Sequence, residues 1–275
     1  HLKFKDSKKY LTGGALLNNY YSLNFDFYNS KNLQSIEKNT ARIMPEIGVQ
    51  YQYPFMKLQE SNSSVFEPII QFILSPDDNK SEDIKNEDSL ETELTSSNLF
   101  EENKYSGFDR LEKGFRSNYG FLYKVNNSTG SSITSSLGRV YHANNQENFA
   151  KKNGFKENNS DIVGNFGYVG SKKAEIYYKF RFSEDLILKK NRVKTNFDFL
   201  NTDFNMSYMQ IRDFASSNNS DTEQLNFGLK KKLYKNWEFR ISQFRDLASA
   251  KYSVPLRTNL GVGFNNECLS FNVNL

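Results

Sequence analysis

Apolar and polar residues alternate with period two along most of this chain. Leu269, Phe271, Val273 and Leu275 are separated by Ser270, Asn272 and Asn274. Leu225, Phe227 and Leu229 alternate with Asn226, Gly228 and Lys230. Ala174, Ile176, Tyr178, Phe180 and Phe182 alternate with Glu175, Tyr177, Lys179 and Arg181. Phe115, Tyr119, Phe121, Tyr123 and Val125 share one face, with Arg116, Asn118 and Lys124 opposite, and Tyr21, Leu23, Phe25 and Phe27 repeat the pattern near the start. This period belongs to strands with one apolar face, and helical periodicity is weak everywhere. The pattern predicts about thirteen or fourteen antiparallel strands of roughly ten residues, enough to cross a membrane when tilted.

The connections add a second rhythm. Short turns are expected at Asn18-Asn19, 59–63, 126–130, 170–173, Asn201-Thr202, 234–236 and Asn265-Asn266. Longer polar loops are expected at 29–40, 75–106, 143–160, 185–190, 213–222 and 247–252. Short and long connections thus take turns. A soluble sandwich has no reason to keep that order; an outer-membrane barrel does, with short turns at one rim and long loops at the other. The expected fold is all-β, an antiparallel up-and-down transmembrane β-barrel, partial rather than complete. By parity the 75–106 and 143–160 loops should lie on one side. The competing architecture is a soluble antiparallel sandwich or solenoid with one wet face. No repeat of fixed period supports a propeller or β-helix.

Composition changes the picture little. Aromatic residues make up 15% of the 275, mostly Phe and Tyr, which favours strands. A mean hydropathy of -0.71 excludes helical spans but not a barrel, whose strands are apolar only at alternate positions. The net charge of +4 is small. Basic residues do not gather into an aromatic-interleaved patch, so nucleic acid is not an expected partner. One cysteine, Cys268, excludes an internal disulfide. No signal peptide is visible, and the start at His1 and the stop at Leu275 within a strand pattern read as a fragment.

Several stretches carry a family resemblance. EPIIQFILSP from Glu67 is followed by an acidic loop holding NEDS (Asn86, Glu87, Asp88, Ser89), then NLF at Asn98 to Phe100, then YSGFDRLEKGFRSNYGF from Tyr105. IMPEIGVQYQYPF (Ile43 to Phe55) precedes them, and LGVGFNNECLSFNVNL closes the chain with the pair Glu267-Cys268. In order and spacing these resemble the barrel domain of the LptD family of lipopolysaccharide-assembly proteins. The resemblance implies a periplasmic jelly roll followed by a very large barrel in the Gram-negative outer membrane, plugged by the lipoprotein LptE or an equivalent. Residues 1–275 would be part of that barrel, without the jelly roll and without the last strands. Lipopolysaccharide would be the substrate, delivered by a periplasmic Lpt bridge through the missing N-terminal domain. The alternative is another outer-membrane channel, a porin or a nutrient receptor; a third is a soluble β-rich binding protein.

The candidate residues follow. The stretch 77–102 carries ten carboxylates against two lysines. It reads either as a solvated extracellular loop or as a divalent-cation-bridged contact with lipopolysaccharide phosphates. The resemblance implies that this loop folds back over or into the barrel mouth, which would make NEDS structural. Gly107, Phe108, Asp109 and Arg110 are expected to open the next strand, with a bulge or a close backbone approach at the glycine and an Asp-Arg pair bridging strands or fixing the loop. Pro45 and Pro68, beside Glu46 and Glu67, lie within strands and should weaken the ladder locally or mark an edge. Cys268 is expected at the periplasmic rim, and the resemblance implies an interdomain disulfide with a sulfur outside this chain. Catalysis has little support: His142 lacks a matching serine motif and His1 is terminal. Nothing resembles a phosphate-binding Gly-rich loop, and no cofactor is expected.

Overall fold

The computed structural model describes residues 2–5, 9–29, 39–77, 84–90, 92–144, 153–155, 158–171, 174–212, 221–234, 236–248 and 255–275. Among them run sixteen strands and no α-helix. The first half holds β1 (Leu2–Lys5), β2 (Lys9–Tyr10), β3 (Leu16–Asn29), β4 (Asn39–Gln52), β5 (Phe55–Leu58), β6 (Asn62–Leu74), β7 (Phe115–Asn127) and β8 (Ser132–His142). The second half holds β9 (Ile162–Val169), β10 (Glu175–Phe182), β11 (Leu188–Phe199), β12 (Thr202–Ile211), β13 (Thr222–Tyr234), β14 (Trp237–Asp246), β15 (Pro255–Asn265) and β16 (Ser270–Asn274). Fourteen strands follow one another in one antiparallel up-and-down path, with β1 and β16 at its two ends. The short β2 and β5 pair off the path with β3 and β6. The sheet is therefore an open section of barrel wall, as the alternation predicted.

The alternation separates two faces. On β3 and β4 the outward residues include Phe25, Phe27 and Ile43, each more than 60% exposed, while Tyr20, Asp26, Arg42 and Met44 are buried on the other face. Register carries the outer face across the sheet: Leu23 opposite Pro45, Ile47 opposite Leu74, Phe66 opposite Tyr123, Val262 opposite Val273. A continuous apolar face of this kind matches the outer surface of a membrane barrel. The opposite face is polar, as a lumen is.

Three connections differ from the expected ones. Asn18 and Asn19 are strand residues opposite Gln50 and Val49. The turn lies earlier, at residues 11–15, where Gly13 and Gly14 both hold φ near +91°. The loop expected at 185–190 is a short turn closed by Ser183 and Ile187, and β11 starts at Leu188. The loop expected to end at Ser106 runs on to Gly114, since β7 starts at Phe115. The Tyr53-Pro54 step does not reverse the chain. It interrupts a strand whose two parts, β4 and β5, both pair with β6. Most of the loops expected at 29–40, 213–222 and 247–252 lies outside the described residues.

Pro45 and Pro68 are within strands, and each sits at a ladder discontinuity. Pairing of β4 with β6 covers only Ile47 to Gln52, so Pro45 has a strand neighbour on one side alone. Pro68 lies opposite the Tyr53-Pro54 interruption, where its carbonyl accepts from the Tyr53 amide at 3.2 Å.

Candidate functional site

The loops at the long-loop end turn inward and pack on the lumenal face. Residues 84–90 and 92–114 contribute Ile84, Leu94, Leu99 and Tyr105, all buried. Leu94, Leu99 and Tyr105 form one apolar cluster with Phe155 from the next loop and with Val140 and Val163 of the wall. The wall is shaped for this: a Cβ at Gly138 would strike the Leu99 side chain. Each fully buried large apolar side chain contributes roughly 1.5–3 kcal/mol. The acidic stretch is thus not simply a solvated loop; it carries an apolar seam that fills part of the lumen.

The NEDS and GFDR segments close this loop on itself. The Asp88 carboxylate accepts the amides of Phe108, at 3.0 Å, and Asp109, also at 3.0 Å. The Asp109 carboxylate accepts the amides of Glu87 and Asp88 at 2.8 and 3.0 Å. The Asn86 side-chain amide donates to the Ser89 carbonyl and accepts the Ser89 amide, and the Ser89 hydroxyl accepts the Arg110 amide at 3.0 Å. Gly107 makes the approach possible. Its φ is +80°, and a Cβ there would lie 2.6 Å from the Asp88 carbonyl oxygen. Burial pushes the Asp88 carboxyl up, but the Asp109 and Phe108 amides and the Ser89 hydroxyl together outweigh it and hold it below its ordinary value.

Arg42 of β4 fastens the closed segment to the wall. Its guanidinium donates to the Asp109 carbonyl at 2.7 Å, to the Phe108 carbonyl at 2.5 Å and to the Asp26 carboxylate at 2.8 Å. The expected Asp109-Arg110 pair and strand bulge are replaced by these contacts. All four GFDR residues lie in the loop, because Gly114, with φ of +74°, delays the strand.

A second fastening is ionic and buried. Glu112 accepts the Lys104 amide at 2.6 Å and bonds His142 Nε2 at 3.1 Å. Lys104 Nζ and Arg116 Nε stand 3.8 and 3.7 Å from its two oxygens. Arg116 also pairs with Glu46 and donates to the Glu102 carbonyl at 2.6 Å. Glu112, Lys104, Arg116 and His142 are at most 1% exposed. Burial alone would raise the Glu112 carboxyl. The charges of Lys104 and Arg116 and the His142 bond instead bring it to about 2. Burial drives the Lys104 amine down from its ordinary value against the pull of Glu112.

The next loop is fixed in the same way. Leu94 donates to the Asn153 carbonyl at 3.0 Å, and the His142 amide donates to Asn158 at 2.7 Å. Asp161 meets Arg181 and Lys189 at 3.4 and 3.7 Å. The two loops therefore share one end of the sheet and touch, as parity predicted.

The family model for LptD, described as LPS transport system D, matches residues 10–241. The chain belongs to the LptD family. It is 26% identical over 132 residues to the LPS-assembly protein LptD of Escherichia coli strain K12, covering 46% of this chain and 17% of that protein. It is 24% identical over 156 residues to LptD of Salmonella typhi, covering 55% and 20%. The chain thus spans about a fifth of the length of these curated relatives.

Seen as part of an LptD-family barrel, the predicted residues separate. Asn86, Glu87, Asp88 and Ser89 meet Gly107, Phe108, Asp109 and Arg110 in one clasp. Glu46 joins the buried ionic cluster through Arg116, whereas Glu67 accepts from Gln52 at 2.8 Å. Cys268 lies apart, free and exposed in the turn at the opposite end, where Asn266 accepts its amide at 2.9 Å. Sequence reasoning missed Arg42, Lys104, Glu112 and His142 as partners. For Arg42 a signal existed: it is a charged residue on an otherwise apolar-alternating strand, opposite Asp26.

Proposed function

We propose that this chain is a section of an outer-membrane translocon wall that helps insert lipopolysaccharide into the outer leaflet of a Gram-negative bacterium. The observation that carries the reading is the family match across residues 10–241. The apolar outer face and polar lumen support a membrane-spanning wall. Transport here is passive guidance without chemistry of its own. The clasped 84–114 loop narrows the lumen, and a plug lipoprotein, LptE or an equivalent, fills the rest. The long-loop end faces outside the cell and the Cys268 end faces the periplasm. There an N-terminal domain receives lipopolysaccharide from the Lpt bridge and supplies the sulfur that pairs with Cys268.

The test is controlled depletion of the full-length protein, followed by pulse-labelling of lipopolysaccharide and of small-solute uptake. The reading expects newly made lipopolysaccharide to stop reaching the outer leaflet while solute uptake is maintained. Loss of solute uptake with normal lipopolysaccharide delivery would favour a porin or nutrient receptor instead.

A further inference from the structure

The lumenal wall carries the same cross-strand arrangement of cations twice. On the β10–β11 ladder, Arg181 lies directly opposite Lys190 and, one pleat further in, Lys179 lies directly opposite Arg192. Like charges in direct cross-strand register destabilise a sheet unless an anion intervenes. For the first pair one does. Glu93, reaching down from the inward loop, places Oε1 2.8 Å from Arg181 and pairs through Oε2 with Lys190. A single carboxylate therefore spans two strands by bridging a cation pair.

The second pair has no such bridge. Among the described residues the side chains of Lys179 and Arg192 make no hydrogen bond or ion pair, and neither does that of Lys194, the next lumenal residue on β11. All three are exposed to the lumen. Asn165, Met209 and Ser207 are their uncharged cross-strand neighbours. A cavity of about 150 Å³ lies between the loop and this wall, lined by Glu93, Thr95, Ser96, Lys179, Arg181 and Arg192, among others. That is room for one oxyanion group with water. The three cations line one concave, exposed wall, and like charges grouped on such a surface raise the local concentration of anions.

We infer that Lys179 and Arg192, with Lys194 beside them, form an oxyanion site that takes a phosphoryl group from the lumen, in the manner in which Glu93 is held by Arg181 and Lys190. The phosphoryl group belongs either to free phosphate or to a phosphorylated glycolipid. The second source rests on the lipopolysaccharide reading above; the site itself does not. A guanidinium and an ammonium across one ladder give a fork plus a point charge, the usual complement of a phosphate.

Amine footprinting tests this on the full-length protein in detergent. Modification of Lys179 and Lys194 by an acylating reagent is quantified by mass spectrometry, with Lys231 on the outer face as the internal reference. The probes are inorganic phosphate alone, lipopolysaccharide, and lipopolysaccharide stripped of its phosphates. Protection of Lys179 and Lys194 by phosphate and by intact but not stripped lipopolysaccharide is expected. Arg192→Gln should weaken that protection about tenfold or more in apparent affinity, the usual effect of losing one charged hydrogen-bonding group. Protection by phosphate alone would support the site and remove the glycolipid as its source. No protection by any probe, or protection unchanged in Arg192→Gln, would overturn the site.

Discussion

Asp88 and Asp109 cap each other's backbone: each carboxylate accepts the amide of the other residue and of one neighbour, 21 residues away in sequence. This reciprocity gives two motifs that are separate in the sequence one structural role. It also predicts that they fail together. A hydrogen bond to a charged group contributes about 1.5–3 kcal/mol, and here the two carboxylates depend on the same closed geometry. Asp88→Asn and Asp109→Asn should each raise hydrogen exchange at the amides of residues 87, 88, 108 and 109 alike. The double variant should cost less than the sum of the single ones. Exchange confined to the two amides facing the substituted residue would mean that the two caps are independent.

Gly107 tests the same clasp from the backbone side. With φ at +80° and no room for a Cβ against the Asp88 carbonyl, Gly107→Ala combines strain with a clash. Opening of the clasp by roughly 1–3 kcal/mol is expected, read as faster proteolysis within residues 84–114 of the folded protein. Gly130→Ala is the contrast. Its φ is +85° but nothing lies within 4 Å of its Cβ position, so only the conformational part of the cost should remain.

Removing Glu112 should unfasten the loop more severely. Glu112→Gln leaves Lys104 and Arg116 buried with less compensation, and breaking a buried pair in this way costs about 3–5 kcal/mol. The expected outcome is a folded wall with a protease-sensitive loop. A loop as resistant as in the unaltered protein would show that the apolar cluster alone holds it.

The pH dependence has a definite sign. Glu112 and Asp88 are both held below their ordinary carboxyl values. A depressed carboxyl contributes stability that is fully present above its unfolded value and is lost as pH falls through the folded one. For Glu112 that window runs from 4.5 down to about 2. A nitroxide at Leu90→Cys, in a Cys268→Ser background, should keep constant mobility between neutral pH and the top of this window and loosen below it. Asp161 runs the other way, since burial lifts its carboxyl against Lys189 and Arg181. Loosening already at neutral pH would contradict the assignment of Glu112 as the fastening group.

Strands were legible in the sequence because each needs only its own alternation. Tyr21, Leu23, Phe25 and Phe27 name the outer face of β3 without reference to any other residue. The Asn18-Asn19 pair misled for a related reason: adjacent asparagines favour turns, yet here both continue β3, Asn18 on the lumenal face with Tyr20 and Asn19 on the face of Tyr21. The loop end misled because Gly107 reads as the glycine that opens a strand, whereas the strand starts only after Gly114. The site was far less legible. Glu46 and Arg116 are 70 residues apart, Glu93 and Lys190 nearly a hundred, and no local pattern announces such pairs. The sequence near 77–102 is rich in acids, so it reads as solvated; among the described residues Asp88 instead accepts backbone amides and Glu93 pairs with Arg181 and Lys190.

The central claim is that the 84–114 loop is fixed inside the barrel against the lumenal wall. Ser96 on the loop accepts a hydrogen bond from Asn165 on β9 at 2.7 Å. Ser96→Cys with Asn165→Cys should therefore join under oxidant or a short thiol crosslinker in intact cells, detected as a linked peptide pair by mass spectrometry. This link is expected to form readily and to leave lipopolysaccharide delivery unchanged. Absence of the link, together with cleavage of the 84–114 segment by protease added outside the cells, would contradict it.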